Sequence, residues 1–159
     1  NWELDRQVRA LLDLTRRLIR LRREHPELRR RKFFQGRPLC DANMKDLAWI
    51  TPDGREMSEA EWRDATLHTF GYRLCGLAMD DVNQRGEPVT DDTLLVLLNA
   101  HPDAVSFALP DAHPGKRWEV LVDTARGEEP AEPLRWEVGS RVELLGRSLV
   151  LLRACDGGS

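Results

Sequence analysis

Pairs of adjacent acids are the residues of this sequence best suited to acid–base chemistry or to cation binding. Asp80 and Asp81 form one pair, and Asp91 and Asp92 form another. Carboxylates bind calcium and act as general acids or bases, but neither pair has the alternating aspartates and the glycine of a calcium-binding loop. We therefore interpret both pairs as solvated loop residues and assign them no catalytic or metal-binding role.

Histidines and cysteines are too widely spaced to indicate a metal centre or a nucleophile with its base. No two of the four histidines have zinc-motif spacing, and the three cysteines make an odd count without a Cys-x-x-Cys pair. The motifs of acyl transfer, zinc hydrolysis and nucleotide binding do not occur, and the Pro-Gly step at residues 113–116 predicts a turn. We expect no cofactor, no metal and no catalytic residue in this chain. The residues considered are His25, His68, His101, His113, Cys40, Cys75 and Cys155.

Tryptophans suggest a different chemistry, because a flat aromatic ring can pack against the C–H face of a sugar. Trp49, Trp62, Trp118 and Trp136 all lie in the part of the chain with short strand-like runs. At strand positions, however, such side chains more often belong to the core. The sequence leaves both interpretations open, and any substrate-binding residue stays unknown at this point.

A basic segment at residues 16–32 raises the alternative of nucleic-acid binding. It carries nine basic residues and only two acids, and Phe33 and Phe34 follow it. Such a segment could contact phosphates while the aromatic rings stack on bases. The net charge of the chain is nevertheless -3, and the helix described next places its arginines on a solvent face. We therefore predict no nucleic-acid partner.

An amphipathic helix is predicted over residues 3–24. Apolar side chains recur there at spacings of three and four, which places them on one stripe of a helix. Acids in its first turn and arginines in its last complement the helix dipole, and Pro26 prevents the helix from continuing past His25. We expect the stripe to dock on the β domain or to pair with a second copy of the chain. The stripe consists of Leu4, Val8, Leu11, Leu12, Thr15, Leu18 and Ile19.

After Pro26 the pattern changes to short apolar runs separated by turn residues, which is typical of an antiparallel β-sandwich. The run at residues 93–98 is apolar enough to predict a central strand buried on both faces. A capping box at residues 58–61 predicts a short helix, Gly71 and Gly76 indicate a bulge or a bend, and the closing segment predicts a hairpin. The predicted strands cover residues 47–50, 67–77, 93–98, 105–109, 118–122, 134–138, 142–144 and 149–152.

Composition agrees with a folded domain carrying one appended element. Of the 159 residues, 41% are hydrophobic and 32% are charged, which is enough apolar material for a core. No apolar run is long enough to cross a bilayer, and the first residues have the features of neither a signal peptide nor a transit sequence. We predict no membrane partner and a cytoplasmic location.

Several blocks of the sequence resemble the carboxy-terminal part of bacterial glycogen-debranching enzymes and isoamylases, which belong to the α-amylase superfamily. The resemblance extends from the predicted helix to the closing strands and covers nearly the whole chain. The blocks are residues 2–4, 11–12, 18–19, 21–26, 33–37, 45–50, 52–57, 61–63, 93–101 and 146–152.

The resemblance implies the terminal helix of a (β/α)8 barrel with a connector at residues 1–36, followed by an α-amylase-type β-sandwich at residues 37–159. In that family the barrel supplies the carboxylates that hydrolyse α-1,6 branch linkages in glycogen or limit dextrin, and none of them maps onto this sequence. The implied role is a non-catalytic domain that stabilises the barrel and assists α-glucan positioning. Self-association through the first helix is a further expectation. The alternative is a free-standing carbohydrate-binding or interaction module.

Overall fold

The computed structural model describes residues 5–30, 33–38, 44–76, 85–87, 90–112, 116–126 and 132–157. A long helix leads into a mainly antiparallel β domain. None of the helices in these ranges combines the length and the apolar character needed to cross a membrane. The elements are helix α1 (Arg6–Glu24), a 3₁₀ helix (Pro26–Arg29), β1 (Leu47–Ile50), helix α2 (Glu59–Trp62), β2 (Thr69–Leu74), β3 (Leu94–Asn99), β4 (Val105–Ala108), β5 (Lys116–Asp123), β6 (Arg135–Trp136), β7 (Arg141–Leu144) and β8 (Ser148–Asp156).

Helix α1 ends where the sequence predicts. Glu24 is its last residue, and the backbone N–H of the extended His25 donates to the Leu21 carbonyl at 2.9 Å. At the other end the Asp5 carboxylate accepts the Val8 N–H at 2.8 Å. Asp5 is therefore the N-cap rather than a first-turn residue. Residues 3 and 4, where the helix was predicted to begin, lie outside the described residues.

Two antiparallel sheets form the sandwich. The larger has six strands in the order β1-β2-β3-β8-β5-β6, and the smaller pairs β4 with β7. Between them, Phe107 of β4 and Leu144 of β7 belong to the same core cluster as side chains of β1, β3, β5 and β8. A second cluster lies on the outer face of the larger sheet and includes side chains of α1. The predicted β-sandwich preceded by a long helix is confirmed.

Strand β3 lies in the middle of the larger sheet, between β2 and β8. Leu95 and Leu97 point into the core between the sheets, whereas Leu94 and Val96 belong to the outer cluster. A strand buried on both faces has no polar side, which explains the unbroken apolar run in the sequence. This prediction is confirmed.

Gly71 lies within a regular strand rather than in a bulge. Strand β2 pairs with β3 without a register shift along its whole length. A Cβ atom at Gly71 would lie 2.9 Å from Leu97 Cδ2 and 3.2 Å from Phe107 Cζ, so the glycine lets these core side chains approach the backbone. Of the predicted bulge or bend, the bulge was therefore wrong at Gly71, and Gly76 lies beyond the end of β2 at Leu74. A register irregularity lies instead in β5, between Val120 and Val122.

The closing segment crosses from one sheet to the other. Strand β7 pairs with β4, whereas β8 pairs with β3 and β5, so the predicted hairpin was wrong. Arg147 takes a left-handed conformation in the intervening turn, with φ of 54°. Buried Asn99 secures the turn, because its Nδ2 donates to the carbonyls of Leu144 and Leu145, each at 3.1 Å.

Candidate functional site

One row of side chains on α1 packs against the outer face of the larger sheet. Leu14 and Leu21, about two turns apart, pack into the outer cluster together with Leu28 of the 3₁₀ helix. Arg17 lies between them on the helix and donates from Nη2 to the Leu121 carbonyl on β5. The helix is thus joined to the sandwich by apolar packing and by a hydrogen bond.

The predicted apolar stripe is not the surface that docks. Val8, Leu11, Leu18 and Ile19 are 44%, 64%, 45% and 48% exposed, and together they form what we call the exposed helix stripe. At 3.6 residues per turn, this stripe lies roughly 100° around the helix axis from the line through Leu14. The expectation that the stripe docks on the β domain was wrong, because α1 has two apolar lines and uses the other one.

A buried pair of side chains joins the end of α1 to the β domain. His25 Nδ1 lies 3.0 Å from Asp91 Oδ1, and the backbone N–H of Glu27 donates to Asp91 Oδ2 at 3.1 Å. The hydrogen bond to Asp91 raises the pKa of His25, against the opposing effect of burial. Burial alone would raise the pKa of Asp91, but the hydrogen bonds that it accepts bring that pKa below its usual value. Asp91 therefore holds the junction together, and its interpretation as a solvated loop residue was wrong.

The same junction holds a group of potential metal ligands. Donor atoms of His25, Asp91 and Asp92 lie within 4.8 Å of one another. Both carboxylate oxygens of Asp91 already interact with His25 and the Glu27 backbone, and Asp92 Oδ2 lies 3.7 Å from Arg153 Nη1. The carboxylate oxygens of Asp91 and Asp92 thus already interact with other groups of the protein. Too few oxygen ligands remain here for a cation such as calcium, which needs six to eight. We assign no metal here. Asp80 and Asp81 lie outside the described residues.

Glu27, in the 3₁₀ helix, is a buried acid. The residue is 1% exposed, and neither Oε1 nor Oε2 has a partner within the described ranges. Burial raises the pKa of Glu27 to about 8, with a further contribution from Asp91 and an opposing one from Arg30. Arg30 Nη1 also lacks a hydrogen bond in these ranges, although Asp46 Oδ2 lies 3.8 Å away. At neutral pH, Glu27 is therefore mainly a neutral acid that can donate a hydrogen bond.

An open groove of about 400 Å³ lies beside this acid, where the segment after the 3₁₀ helix meets β1 and β2. Phe33 on its rim is 91% exposed. The ring centroid of Trp49 lies 5.5 Å from that of Tyr72 and 4.8 Å from that of Trp62, so aromatic surface continues past the groove. This aromatic groove is lined by Glu27, Leu28, Arg30, Phe33, Phe34, Leu47, Trp49, Tyr72 and Leu74.

Local hydrogen bonds position the aromatic residues. Buried Asp46 accepts the backbone N–H groups of Gln35 at 2.9 Å and of Arg37 at 3.0 Å, which ties the segment after Phe34 to the start of β1. At the far end, the predicted capping box between Ser58 and Glu61 is confirmed, and it fixes the short helix that carries Trp62. The capping box was visible in the sequence, whereas the role of Asp46 was missed because its partners lie about ten residues upstream.

The four tryptophans fall into two groups. Trp49 is half-buried and Trp62 is 53% exposed, and their rings are in contact. Trp118 is 0% exposed and donates from Nε1 to the Pro110 carbonyl at 2.8 Å, so it is a core residue and cannot meet a glycan. Trp136 is half-buried and packs against the core between the sheets. Burial therefore excludes Trp118 from the carbohydrate interpretation and leaves the other three tryptophans open to it.

The other candidate side chains do not converge on a common site within the described residues. The ring centroids of His68 and His101 lie 6.4 Å apart, and His101 Nδ1 accepts the Asp103 N–H at 3.1 Å. Cys75 is a buried free thiol and Cys155 a partly exposed one. Cys40 lies outside the described residues, and so do residues 113–115 of the turn predicted at residues 113–116, whereas Lys116 is the first residue of β5.

Comparison with known proteins identifies the family. The family described as "Isoamylase, C-terminal" matches residues 46–153, and the chain belongs to this family. It is 35% identical over 125 residues to the glycogen operon protein GlgX homolog of Mycobacterium tuberculosis (strain ATCC 25618 / H37Rv), which covers 78% of this chain and 17% of the relative. It is 31% identical over 115 residues to an isoamylase of Flavobacterium sp, covering 72% of the chain and 14% of the relative. With a glycogen debranching enzyme of Dickeya chrysanthemi it shares 29% identity over 111 residues, covering 70% of the chain and 13% of the relative. The chain thus spans less than a fifth of the length of these relatives.

Proposed function

We propose that this chain is the non-catalytic carboxy-terminal domain of a glycogen-debranching enzyme. The whole enzyme hydrolyses α-1,6 branch linkages in glycogen or limit dextrin, and this domain stabilises its catalytic (β/α)8 barrel and helps to position α-glucan. The observation that carries the proposal is the family match at residues 46–153, together with relatives named for isoamylase and glycogen debranching. The boundary between a helix-and-connector unit at residues 1–36 and the sandwich at residues 37–159 remains a prediction.

Two acids with partners inside the protein, Asp91 and Glu119, support a non-catalytic role. Retaining glycosidases need two carboxyl groups about 5 Å apart that face the substrate. Here Asp91 binds His25 and the Glu27 backbone, and buried Glu119 accepts from Arg135 Nε at 3.0 Å and from Arg153 Nη2 at 2.7 Å. These carboxylates serve the fold, since their oxygens are occupied by groups of the protein itself.

The exposed helix stripe supports the catalytic barrel as the partner. Contiguous apolar surface of this kind marks a protein–protein contact. Each of these side chains is already about half-buried, so covering it would contribute roughly 1 kcal/mol, and the four together favour contact with a partner. Helix α1 would then contact the barrel through its exposed helix stripe and the sandwich through the side on which Leu14 lies.

Replacing Leu11 by aspartate tests this contact. Leu11 is 64% exposed, so we expect the free energy of unfolding of the 159-residue chain to change by less than about 1 kcal/mol. The affinity for the separately purified catalytic barrel should fall by at least about tenfold, because an apolar contact is replaced by a buried charge. Surface plasmon resonance measures the affinity, and the debranching of glycogen by the reconstituted pair measures the activity.

Arg9→Asp is the matched control, since it introduces the same residue on the solvent face of α1. It should leave the affinity unchanged. Equal losses for Leu11→Asp and Arg9→Asp would contradict docking through the exposed helix stripe. An upstream reading frame that does not encode a barrel would overturn the proposed function as a whole.

Self-association and a cytoplasmic location are also part of the proposed function. Without the barrel, the exposed helix stripe should drive weak self-association, which light scattering would detect in the parent chain and not in Leu11→Asp. A cytoplasmic location is supported by the free thiols of Cys75 and Cys155, because reduced cysteines persist in the cytosol, and cell fractionation tests it.

A further inference from the structure

We infer that His25, Glu27 and Asp91 form a pH-sensitive latch, which holds the 3₁₀ helix on the sheet in neutral solution and releases it in alkaline solution. The inference concerns the fold of this chain and does not depend on the proposed function. In the open latch, the 3₁₀ helix leaves the outer face of the larger sheet while both sheets stay folded. Since the 3₁₀ helix directly follows α1, the latch controls how firmly α1 is held on the sandwich.

Two carboxyl groups are packed together in the latch, and only one of them has partners. Asp91 Oδ1 lies 3.0 Å from His25 Nδ1, and Asp91 Oδ2 accepts the backbone N–H of Glu27 at 3.1 Å. The carboxyl group of Glu27 is buried close to Asp91, and neither of its oxygens has a hydrogen-bond partner among the described residues. A negative charge on Glu27 would therefore face the charge of Asp91 in a site shielded from water.

Positive charge near Glu27 is too weak to keep this acid ionised in the closed latch at neutral pH. Arg30 lowers the pKa of Glu27, but burial and the nearby Asp91 raise it more, and Asp46 raises it too. Arg30 Nη1 also lies 3.8 Å from Asp46 Oδ2, so part of its charge is already balanced. Glu27 is therefore protonated while the latch is closed. The other charged or titratable groups around the latch are His25, Asp92, Arg153 and Tyr72.

The attachment of the 3₁₀ helix is small enough to open without unfolding the sandwich. Leu28 packs against the outer cluster and is only partly buried there. Among the described residues, the core between the two sheets contains no side chain from α1 or from the 3₁₀ helix. Segments with few buried apolar contacts open at a lower free energy than the core of the same domain. Release of the 3₁₀ helix therefore leaves the core between the sheets intact.

The pH dependence of the latch follows from the proton that the closed state retains. Burial raises the pKa of Glu27 from 4.5 to about 8 in the closed latch, whereas in the open latch the carboxyl group is in water and titrates normally. Between these two values, the ratio of open to closed latches rises by up to about tenfold per pH unit. His25 adds a smaller effect of the same sign, because its hydrogen bond to Asp91 raises its pKa.

Hydrogen exchange of single backbone amides in the 159-residue chain, measured by NMR between about pH 6 and about pH 8, tests the latch. The protection factor compares the measured rate with that of an unstructured amide at the same pH, so it reports the opening alone. For the Glu27 N–H it should fall by about fiftyfold over this range. The Leu97 N–H in β3 should stay at least about a hundredfold better protected at each pH, because it exchanges only when the core opens.

Glu27→Gln keeps position 27 neutral, so the protection factor there should fall by less than about fivefold over the same range. Glu143→Gln, on the exposed side of β7, is the matched control and should keep the full change. A constant protection factor at Glu27 in the parent chain would overturn the latch, and so would a full pH dependence in Glu27→Gln. Equal protection of Glu27 and Leu97 would overturn it as well, because the junction would then open only when the whole domain unfolds. None of these results affects the proposed function, which is tested by complex formation and debranching.

Discussion

Trp118→Ala is expected to lower the free energy of unfolding of the 159-residue chain by about 4 kcal/mol. Trp118 lies in the core between the two sheets, is 0% exposed, and donates from Nε1 to the buried Pro110 carbonyl at 2.8 Å. Alanine would leave a cavity of nearly the size of an indole ring, and it would leave the carbonyl without a donor. Urea unfolding followed by circular dichroism measures the change.

Two other variants separate the contributions to this loss. Trp118→Phe keeps an apolar ring but removes the hydrogen bond, so about 2 kcal/mol should be lost. Trp62→Ala removes a tryptophan that is 53% exposed, and it should lower the free energy of unfolding by less than about 1 kcal/mol. If Trp62→Ala proved as destabilising as Trp118→Ala, Trp118 would not be the central residue of the core.

The elements that sequence reasoning predicts well depend on local patterns. The apolar run of β3 reports burial on both faces, and the Ser58–Glu61 capping box forms entirely within four residues. The end of α1 follows from Pro26, whose ring and missing N–H act on its immediate neighbours. Each of these signals is contained in a short stretch of chain, so a single sequence suffices to find it.

Contacts between distant segments could not be predicted in the same way. The two apolar lines of α1 follow the same helical period, and only the shape of the sheet decides that Leu14 rather than Leu11 packs on it. Two short apolar runs on either side of Gly146 and Arg147 predict two strands, but they do not say that these strands belong to different sheets. The pairing of His25 with Asp91 spans 66 positions, and neither residue has a local feature that indicates it.

The aromatic groove also combines residues that the sequence could single out with contacts that it could not predict. Trp49 was a candidate for glycan contact, and Phe33 and Phe34 were considered for stacking on bases, whereas nothing in the sequence singled out Tyr72. Their convergence depends on three separate segments: the stretch after the 3₁₀ helix, β1 and β2. Glu27 was not a candidate at all, because an isolated glutamate after a proline has the pattern of an exposed residue. Only the docking of α1 and the 3₁₀ helix on the sheet makes it a buried acid.

The domain should be more stable in mildly acidic than in alkaline solution, and Glu27 should be the main cause. Burial raises its pKa from an ordinary 4.5 to about 8 in the folded chain. Between these two values the folded state retains a proton that the unfolded state has lost, so stability falls as the pH rises. One pKa unit corresponds to about 1.4 kcal/mol, and urea unfolding at about pH 5.5 and about pH 8.5 should differ by up to about 3 kcal/mol. His25 acts in the same direction, because its pKa is also raised and the stability from its pairing with Asp91 is lost as the pH rises.

Glu27→Gln isolates the acid from the other groups that titrate. Glutamine stays neutral at both pH values, so the difference in unfolding free energy between them should shrink to the smaller contribution of His25. The depressed pKa of Asp91 affects stability only in more acidic solution, where that carboxylate becomes protonated. Glu143→Gln, on the exposed side of β7, is the control and should keep the full difference. An unchanged pH dependence in Glu27→Gln would mean that the Glu27 carboxyl is ionised in the folded chain.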